Sequence, residues 1–213
     1  VFGPRCSPCG LVILSLLISF SIPLQSLLRS LISSSLSVVS SQCSGGIPDT
    51  ERQSFLDAHN TLRSTISAGK YVANGKNMPA AKTPIANMTW DCEIEKSTQK
   101  VSDTCIFAHS KNRTNLGENI WTMWASYKLS VNGMAKNACN SWEVEFQKFG
   151  WADIKLTPSV FSSGIGHATQ MAWARSTKLG CGISLCKDNQ KVLVACQYRD
   201  AGNFINSNVY DPK

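Results

Sequence analysis

The chemically most suggestive part of the chain is the stretch Gly166–Trp173, in which one histidine stands inside an apolar run. His167 is followed by Thr169 and Gln170, and the run continues toward Cys181. A half-buried strand has no structural need for an imidazole at such a position. Neutral imidazole is a common ligand of divalent metals. The setting of His167 therefore favours a functional role over simple packing.

Motifs of well-known hydrolases are missing from the sequence. There is no HExxH helix and no GxSxG turn, and Ser162 and Ser163 lie near His167 without any paired-base context. The pair Cys6 and Cys9 forms a CxxC that no second CxxC or HxxxH matches, which argues against a structural zinc site. We therefore predict a protein that is not an enzyme.

Residues 1–41 read as a secretory signal peptide or N-terminal leader that is removed. Arg5 and Arg29 are their only charges, and Leu11–Phe20 forms an apolar segment behind the basic start. We predict cleavage near Ser41 and secretion of the mature protein. The chain has nine cysteines, which in an oxidising compartment form disulfides.

A membrane anchor is the alternative for this segment. Pro23, Gln25 and Arg29 interrupt the apolar run before it reaches the roughly eighteen residues that a spanning helix needs. The mature form is therefore expected not to span a membrane.

The rest of the chain, residues 42–213, is long enough for a single domain with its own core. Losing residues 1–41 removes Arg5 and Arg29 and no acidic residue, so the formal charge falls from +7 to +5. This charge is spread along the chain without a Lys/Arg run, which argues against nucleic acid as a partner. An odd number of cysteines remains, so one thiol is free or pairs elsewhere.

Two N-glycosylation sequons follow, at Asn87 and at Asn112. Behind a signal peptide, each predicts an exposed loop that carries a glycan.

Hydrophobic periodicity predicts helices in the first part of the domain. Thr50 and Gln53 resemble a capping box, and Gly69 offers a stop for the helix that follows. Further helices are predicted over about 91–107 and about 131–149.

Short aliphatic segments follow after residue 150. Strands are predicted at 167–173, 182–185 and 192–198, with a hairpin turn at 187–190. Helices followed by strands indicate an α+β domain with a mainly antiparallel sheet.

Several motifs, in the right order, resemble those of the CAP superfamily (cysteine-rich secretory proteins, antigen 5, pathogenesis-related 1), most closely its nematode activation-associated secreted and venom-allergen-like members. The matching segments are His59–Arg63, Phe107–Ser110, Gly117–Ile120, Trp142–Glu145, Gly166–Trp173 and Cys196–Tyr210. The resemblance implies a three-layer α-β-α sandwich.

The resemblance also implies a cleft in which two histidines and two glutamates converge. Carried over by motif, these are His109, His167, Glu118 and Glu145. Two imidazoles and two carboxylates can hold zinc or another divalent cation. The alternative is that the four groups only hydrogen-bond one another and fix the packing.

Glu143 stands where the family has an aromatic residue, but helical spacing from Trp142 favours Glu145. The third histidine, His59, is expected to order helix contacts.

Disulfide partners cannot be deduced from spacing. The resemblance implies a pair Cys181–Cys196, and less strongly a pair Cys43–Cys105. It also places Asn206 where a second glycine is usual, and Asn tolerates left-handed backbone.

The resemblance leaves three functions open. The first is a secreted binding or immunomodulatory effector of extracellular proteins. The second is a sterol or lipid carrier, to which the aromatic stretch Ile120–Tyr127 could contribute. The third is a zinc-dependent hydrolase with Glu118 or Glu145 as general base.

Overall fold

The computed structural model describes residues 43–44, 46–111 and 113–213, and the leader predicted for residues 1–41 lies outside them. The helices in this part are α1 (Asp49–Ser67), α2 (Cys92–Asp103), α3 (Met134–Glu143), α4 (Glu145–Phe149), α5 (Pro158–Ser162) and α6 (Gly166–Ala172). The strands are β1 (Val72–Ala73), β2 (Lys76–Asn77), β3 (Thr89–Trp90), β4 (Gly117–Trp124), β5 (Lys178–Cys186) and β6 (Lys191–Arg199).

Four strands form the central sheet in the order β3-β5-β6-β4. β6 is antiparallel to both β4 and β5, whereas the short β3 runs parallel to β5. The predicted α+β class with a mainly antiparallel sheet is confirmed. The hairpin at 187–190 is also present, with Lys187, Asp188 and Asn189 in left-handed backbone conformations.

Helices cover both faces of this sheet. α2 packs against β5 and β6, so closely that a Cβ on Gly182 would lie 2.5 Å from the Cα of Gln99. Neighbouring strand residues face the opposite side, where Cys181 and Ile183 join the core beneath α1, α3 and α6. The domain is therefore an α-β-α sandwich. None of the helices in the described part is long and apolar enough to cross a membrane.

Local capping explains where several helices begin and end. Asp91 caps α2, accepting hydrogen bonds from the backbone N–H groups of Glu93 and Ile94 at 3.0 Å. The predicted capping box is wrong: α1 begins at Asp49 behind Pro48, without a side-chain cap. Gly69 follows α1 with φ of +66°, as expected of a stop residue.

The third predicted helix is two helices, because Val144 separates α3 from α4. The N-cap of α3 is Gly133, which has no side chain to accept hydrogen bonds from the first N–H groups of the helix. Glu51 of α1 takes over this role: its buried carboxylate accepts from the N–H groups of Gly133 (2.7 Å) and Ala135 (2.8 Å). A carboxylate is favourable at a helix N-terminus, so this contact ties α1 to α3.

The predicted strand at 167–173 is wrong, since Gly166–Ala172 is the helix α6. All residues from Ala168 to Ala172, including the polar Thr169 and Gln170, are buried, so the helix is enclosed on most of its surface. A short apolar run of this kind does not distinguish a buried helix from a strand by its periodicity.

Three disulfides are formed among the described residues: Cys43–Cys92, Cys105–Cys186 and Cys181–Cys196. The pair Cys181–Cys196 is the expected one. The Cys43–Cys105 pairing is wrong, because Cys43 lies at the start of α2 and Cys105 beyond its other end. A helix of this length separates the two positions by about 18 Å. Cys139 is the free, buried thiol.

Candidate functional site

The first half of the site is a hydrogen-bonded His–Glu pair between the loop after α2 and the start of β4. His109 Nδ1 lies 2.9 Å from Glu118 Oε1. The Glu118 side chain is fully buried, whereas His109 is half-exposed. The remaining donors to Glu118 are Ser110 N (2.9 Å), Ser110 Oγ (2.6 Å), Arg113 Nη1 (2.9 Å) and Gln197 Nε2 (2.8 Å).

This set of donors controls the ionisation of Glu118. Burial by itself raises the pKa of the carboxyl, but hydrogen bonds from Ser110, Gln197 and His109 outweigh it, and the net pKa is lowered. Glu118 is therefore a carboxylate at neutral pH. Because a carboxylate only accepts hydrogen bonds, His109 carries its proton on Nδ1. Arg113 Nη1 lies 3.2 Å from that nitrogen but nearer to the carboxylate.

The second half of the site joins α4 to α6. His167 Nδ1 lies 2.6 Å from Glu145 Oε1. The other oxygen of Glu145 accepts from the backbone N–H groups of His167 (3.0 Å) and Ala168 (3.1 Å). The Trp142 indole stacks on the imidazole, with ring centroids 6.1 Å apart and planes 13° apart. Stacking on Trp142 therefore restrains one face of the His167 ring, and the hydrogen bond to Glu145 restrains its Nδ1 edge.

The alternative glutamate points elsewhere. Glu143 interacts with Tyr71, and burial raises its pKa although the bond from Tyr71 opposes this. The structure therefore places Glu145, and not Glu143, against His167.

All four predicted residues line one cavity of about 580 Å³, together with Arg113 and Phe161. They are arranged as two separate His–Glu pairs. In the part of the chain that the structure describes, no group of three or more His, Cys, Asp or Glu side chains is placed to hold a metal ion together. The four-ligand arrangement expected from the resemblance is therefore not assembled.

The Nε2 atoms are the nitrogens that the two pairs leave available. Neither His109 nor His167 makes a hydrogen bond through Nε2 to another described residue. Imidazoles oriented by a carboxylate at Nδ1 are typical of metal-binding histidines. The donor set therefore fits a cation bound by two imidazoles, with the glutamates orienting the rings.

Backbone and amide contacts hold α6 in place. Arg63 of α1 is buried and donates to the carbonyls of Met171, Trp173, Ala174 and Ser176 at 2.8–3.2 Å. Burial lowers the pKa of Arg63 to about 10, so the guanidinium stays charged. The carbonyl dipoles compensate this buried charge and fix the end of the helix that carries His167.

A second set of contacts joins the site to the sheet. Asn119 Nδ2 donates to the carbonyl of His167 and to the hydroxyl of Tyr198, each at 3.0 Å. Asn203 and Asn206 adopt φ values of +58° and +67°, so asparagine does accommodate the left-handed turn expected there. Asn203 Oδ1 accepts from Thr169 Oγ1 at 2.8 Å, which anchors this turn to α6.

His59 lies outside the cleft and is fully buried. Its Nδ1 contacts the carbonyl of Phe55 at 2.7 Å, and its Nε2 contacts the Tyr198 hydroxyl at 2.9 Å. Desolvation lowers the pKa of His59 to about 4; the Phe55 bond opposes this shift and the charge of Arg63 adds to it. His59 therefore has the structural role expected of it.

The buried thiol of Cys139 lies 3.9 Å from His59 Nδ1, but the two do not form a nucleophile–base pair. His59 Nδ1 donates its proton to the Phe55 carbonyl, so that nitrogen has no lone pair to accept the thiol proton. Burial raises the pKa of Cys139 far above its usual range. A buried thiol of this kind is inert.

Two features named from the sequence, Asn87 and the stretch Ile120–Tyr127, do not line the cleft. Asn87 is exposed in the loop before β3, and Asn112 lies outside the described residues. The stretch Ile120–Tyr127 is mostly the strand β4, in which Ile120 is buried and Trp121 half-buried.

Sequence reasoning missed the residues that surround Glu118. Ser110 and Gln197 lie inside the motifs Phe107–Ser110 and Cys196–Tyr210, so the motifs include these positions without assigning a role to either residue. Nothing in the sequence identified Arg113, because its role depends on how the loop folds back onto β4.

Comparison with known proteins agrees with this fold. The pattern of the CAP cysteine-rich secretory protein family matches residues 56–198. Ancylostoma secreted protein of Ancylostoma caninum is 36% identical over 172 residues, which is 78% of this chain and 40% of that protein. Venom allergen 5 of Rhynchium brunneum is 35% identical and covers 78% of this chain and 75% of its own.

Solved structures give the same result. NaASP2, solved with Zn²⁺, has a TM-score of 0.75 and 36% identity, covering 80% of this chain and 90% of its own. BmVAL-1 has a TM-score of 0.77 and 31% identity, covering 81% of this chain and 87% of its own. The chain belongs to the CAP, or cysteine-rich secretory protein, family.

Proposed function

We propose that this chain is an extracellular binding protein whose cleft holds one divalent cation, such as zinc, between the Nε2 atoms of His109 and His167. The observation that carries this proposal is the matched pairing of both Nδ1 atoms with carboxylates, at 2.9 and 2.6 Å. Each ring is thereby fixed in the tautomer that leaves Nε2 as a ligand. NaASP2, a relative solved with Zn²⁺, supports the same choice of metal.

Glu118 and Glu145 are positioning residues in this proposal. The oxygens of Glu118 already accept five hydrogen bonds, and those of Glu145 accept three. Two imidazoles leave coordination positions for water or for groups of a partner. A bound cation would supply a Lewis-acidic centre that anionic groups can coordinate.

Calorimetric titration of zinc into chelator-treated protein tests the site. We expect one site per chain that His109→Ala or His167→Ala abolishes, and that Glu118→Gln weakens by about 10–100-fold, the usual effect of removing an orienting carboxylate. His59→Gln is the matched control, because it removes the one histidine outside the cleft. Unchanged zinc binding in the His109→Ala/His167→Ala double variant would overturn the proposal.

We further propose that the cleft binds without turnover, as an effector of extracellular protein partners with an immunomodulatory role. A general base needs an accessible lone pair and a suitable pKa. Glu118 has a lowered pKa and no free acceptor position, which makes it a poor base. Peptide and ester substrates are expected to show no turnover; turnover that His167→Ala removes would instead establish a hydrolase.

Secretion is supported by the signal-like leader, by three disulfides and by relatives named as secreted proteins and venom allergens. N-terminal sequencing of protein from the medium of secreting eukaryotic cells tests it. We expect the mature chain to begin near Gln42. Retention in the cells with residues 1–41 still attached would contradict secretion.

A further inference from the structure

Exposed aromatic and aliphatic side chains gather at the end of the sheet where β4 finishes. The exposed fractions are 64% for Ile106, 54% for Phe107, 54% for Trp124 and 67% for Tyr127. We call these four residues, with Lys187, the aromatic–basic patch. β4 begins at the cleft with Gly117 and ends at Trp124. At about 3.3 Å per residue, Trp124 lies about 23 Å from Gly117 along the strand, whereas Phe107 is only two residues from His109 of the cleft.

Strand register and one disulfide bring the members of the patch together. Trp124 is paired with Lys191, and Lys191 with Cys186, in one row across β4, β6 and β5. Cys186 is bonded to Cys105, and Ile106 and Phe107 follow Cys105 directly in the chain. The apolar side chains therefore extend from β4 to the loop after α2.

The loop after β4 adds Tyr127 to the same end of the sheet. Ala125 N donates to the carbonyl of Gln190 at 2.9 Å, and Leu129 N donates to that of Asn189 at 2.7 Å. Both acceptors belong to the β5–β6 turn. The loop is thus held along the turn, with Tyr127 at its exposed middle.

Two lysine side chains lie beside Trp124. The Nζ atoms of Lys187 and Lys191 lie 4.8 Å and 5.1 Å from the centroid of the Trp124 ring, within the range of cation–π interactions. Lys191 Nζ also donates to the carbonyl of Cys105 at 2.6 Å. Among the described residues, no carboxylate forms a salt bridge with either lysine. Asp188 is the one acidic residue of the turn.

We propose that the aromatic–basic patch binds the surface of a lipid bilayer that contains anionic lipids. Exposed apolar side chains in a contiguous group mark an interaction surface. Aromatic rings beside an exposed lysine suit the boundary between acyl chains and anionic headgroups, where the rings insert and the ammonium group of Lys187 stays at the phosphates. Each basic residue adds electrostatic attraction that salt screens. This proposal is independent of metal binding in the cleft.

Co-sedimentation with vesicles tests the proposal. One set of vesicles is phosphatidylcholine alone, and the other also contains phosphatidylserine. The full secreted protein is expected to sediment with the second set at low salt and to dissociate as salt is raised. Binding is expected to shift the tryptophan emission of the protein to the blue, because Trp124 enters an apolar environment.

Two variants remove different parts of the surface. Trp124→Ser should lower the partition coefficient about tenfold through lost apolar contact. Lys187→Gln should lower it about fivefold, the equivalent of about 1 kcal/mol per basic residue. Phe204→Ser and Lys82→Gln are matched controls, because these side chains are also exposed but lie outside the patch. Both controls should bind as the unchanged protein does.

Circular dichroism establishes that each variant is folded, and Lys187→Gln alters only an exposed side chain of a turn. Failure to sediment with either set of vesicles would overturn the proposal and leave a protein or glycan as the partner of the patch. Equal binding to both sets of vesicles, or Trp124→Ser binding unchanged, would overturn it as well. None of these outcomes depends on whether zinc binds in the cleft.

Discussion

The buried histidine of α1 should make the stability of the fold depend on pH. His59 has a pKa of about 4 in the folded protein, against 6.5 for an unperturbed histidine. Between these values the unfolded chain binds a proton that the folded chain does not. The His59 contribution is therefore fully present above pH 6.5 and is lost as the pH falls toward 4.

The size of this effect follows from the shift. A difference of one pKa unit corresponds to 1.36 kcal/mol, so lowering the pH from 7 to 4 should cost about 3 kcal/mol of unfolding free energy through His59 alone. That is a large fraction of the stability of a typical domain. Desolvation is its main cause, because the ring is fully buried between Phe55 and Tyr198.

Urea denaturation of the unchanged protein and of His59→Gln at several pH values between 7 and 4 measures the effect. Glutamine can keep a polar contact with the Tyr198 hydroxyl but does not titrate. The variant can be less stable at pH 7, but its free energy of unfolding should fall by about 3 kcal/mol less over this range. Other titrating groups contribute to both curves and cancel in their difference. Parallel curves would refute the reasoning, since His59 would then titrate alike in both states.

Three further predictions concern the cap of α3, the packing of α2 on the sheet and the sequon at Asn87. Glu51→Ala should lower the free energy of unfolding, measured with urea, by about 2 kcal/mol, because it leaves two N–H groups at the start of α3 without their acceptor. A loss under about 0.5 kcal/mol would show that the cap is unimportant. Gly182→Ala should cost about 2 kcal/mol or more in thermal or urea unfolding, because its Cβ would collide with the backbone of Gln99; full stability would mean that α2 can shift outward. Asn87→Gln should reduce the mass of protein secreted from eukaryotic cells by one N-glycan, and an unchanged mass would show that the exposed sequon is not used.

The helical and sheet layers could be predicted because their signals are local. The stop at Gly69 and the hairpin at 187–190 depend on residues that favour left-handed backbone, and both are found in the structure. The start of α3 could not be found in this way, because its cap is Glu51, far away in sequence. The capping box predicted at Thr50 shows the opposite case. The local pattern of Thr50 and Gln53 is present in the sequence, but the helix begins one residue earlier, at Asp49, and Pro48 occupies the N-cap position.

The candidate site shows the same contrast between features with a local sequence signal and features that depend on tertiary packing. Motif matching identified His109, Glu118, Glu145 and His167, and all four line one cavity. It did not predict that the four residues form two separate His–Glu pairs. The pairing depends on tertiary packing, which brings the loop after α2 against β4 and the start of α6 against α4. The strand predicted at 167–173 is a helix. A short helix that is buried on most sides shows no amphipathic period in its sequence, so its pattern resembles that of a buried strand.

The central claim is that the cleft binds a cation through the outer nitrogens of two histidines that glutamates hold in place. Crystals of the secreted protein grown with zinc, with diffraction measured on both sides of the zinc absorption edge, test it most directly. The account predicts one anomalous peak in the cleft, about 2.0–2.1 Å from the Nε2 atoms of His109 and His167, with both carboxylates still on the Nδ1 atoms. A peak coordinated by Glu118 or Glu145, or no peak in the cleft at saturating zinc, would contradict it.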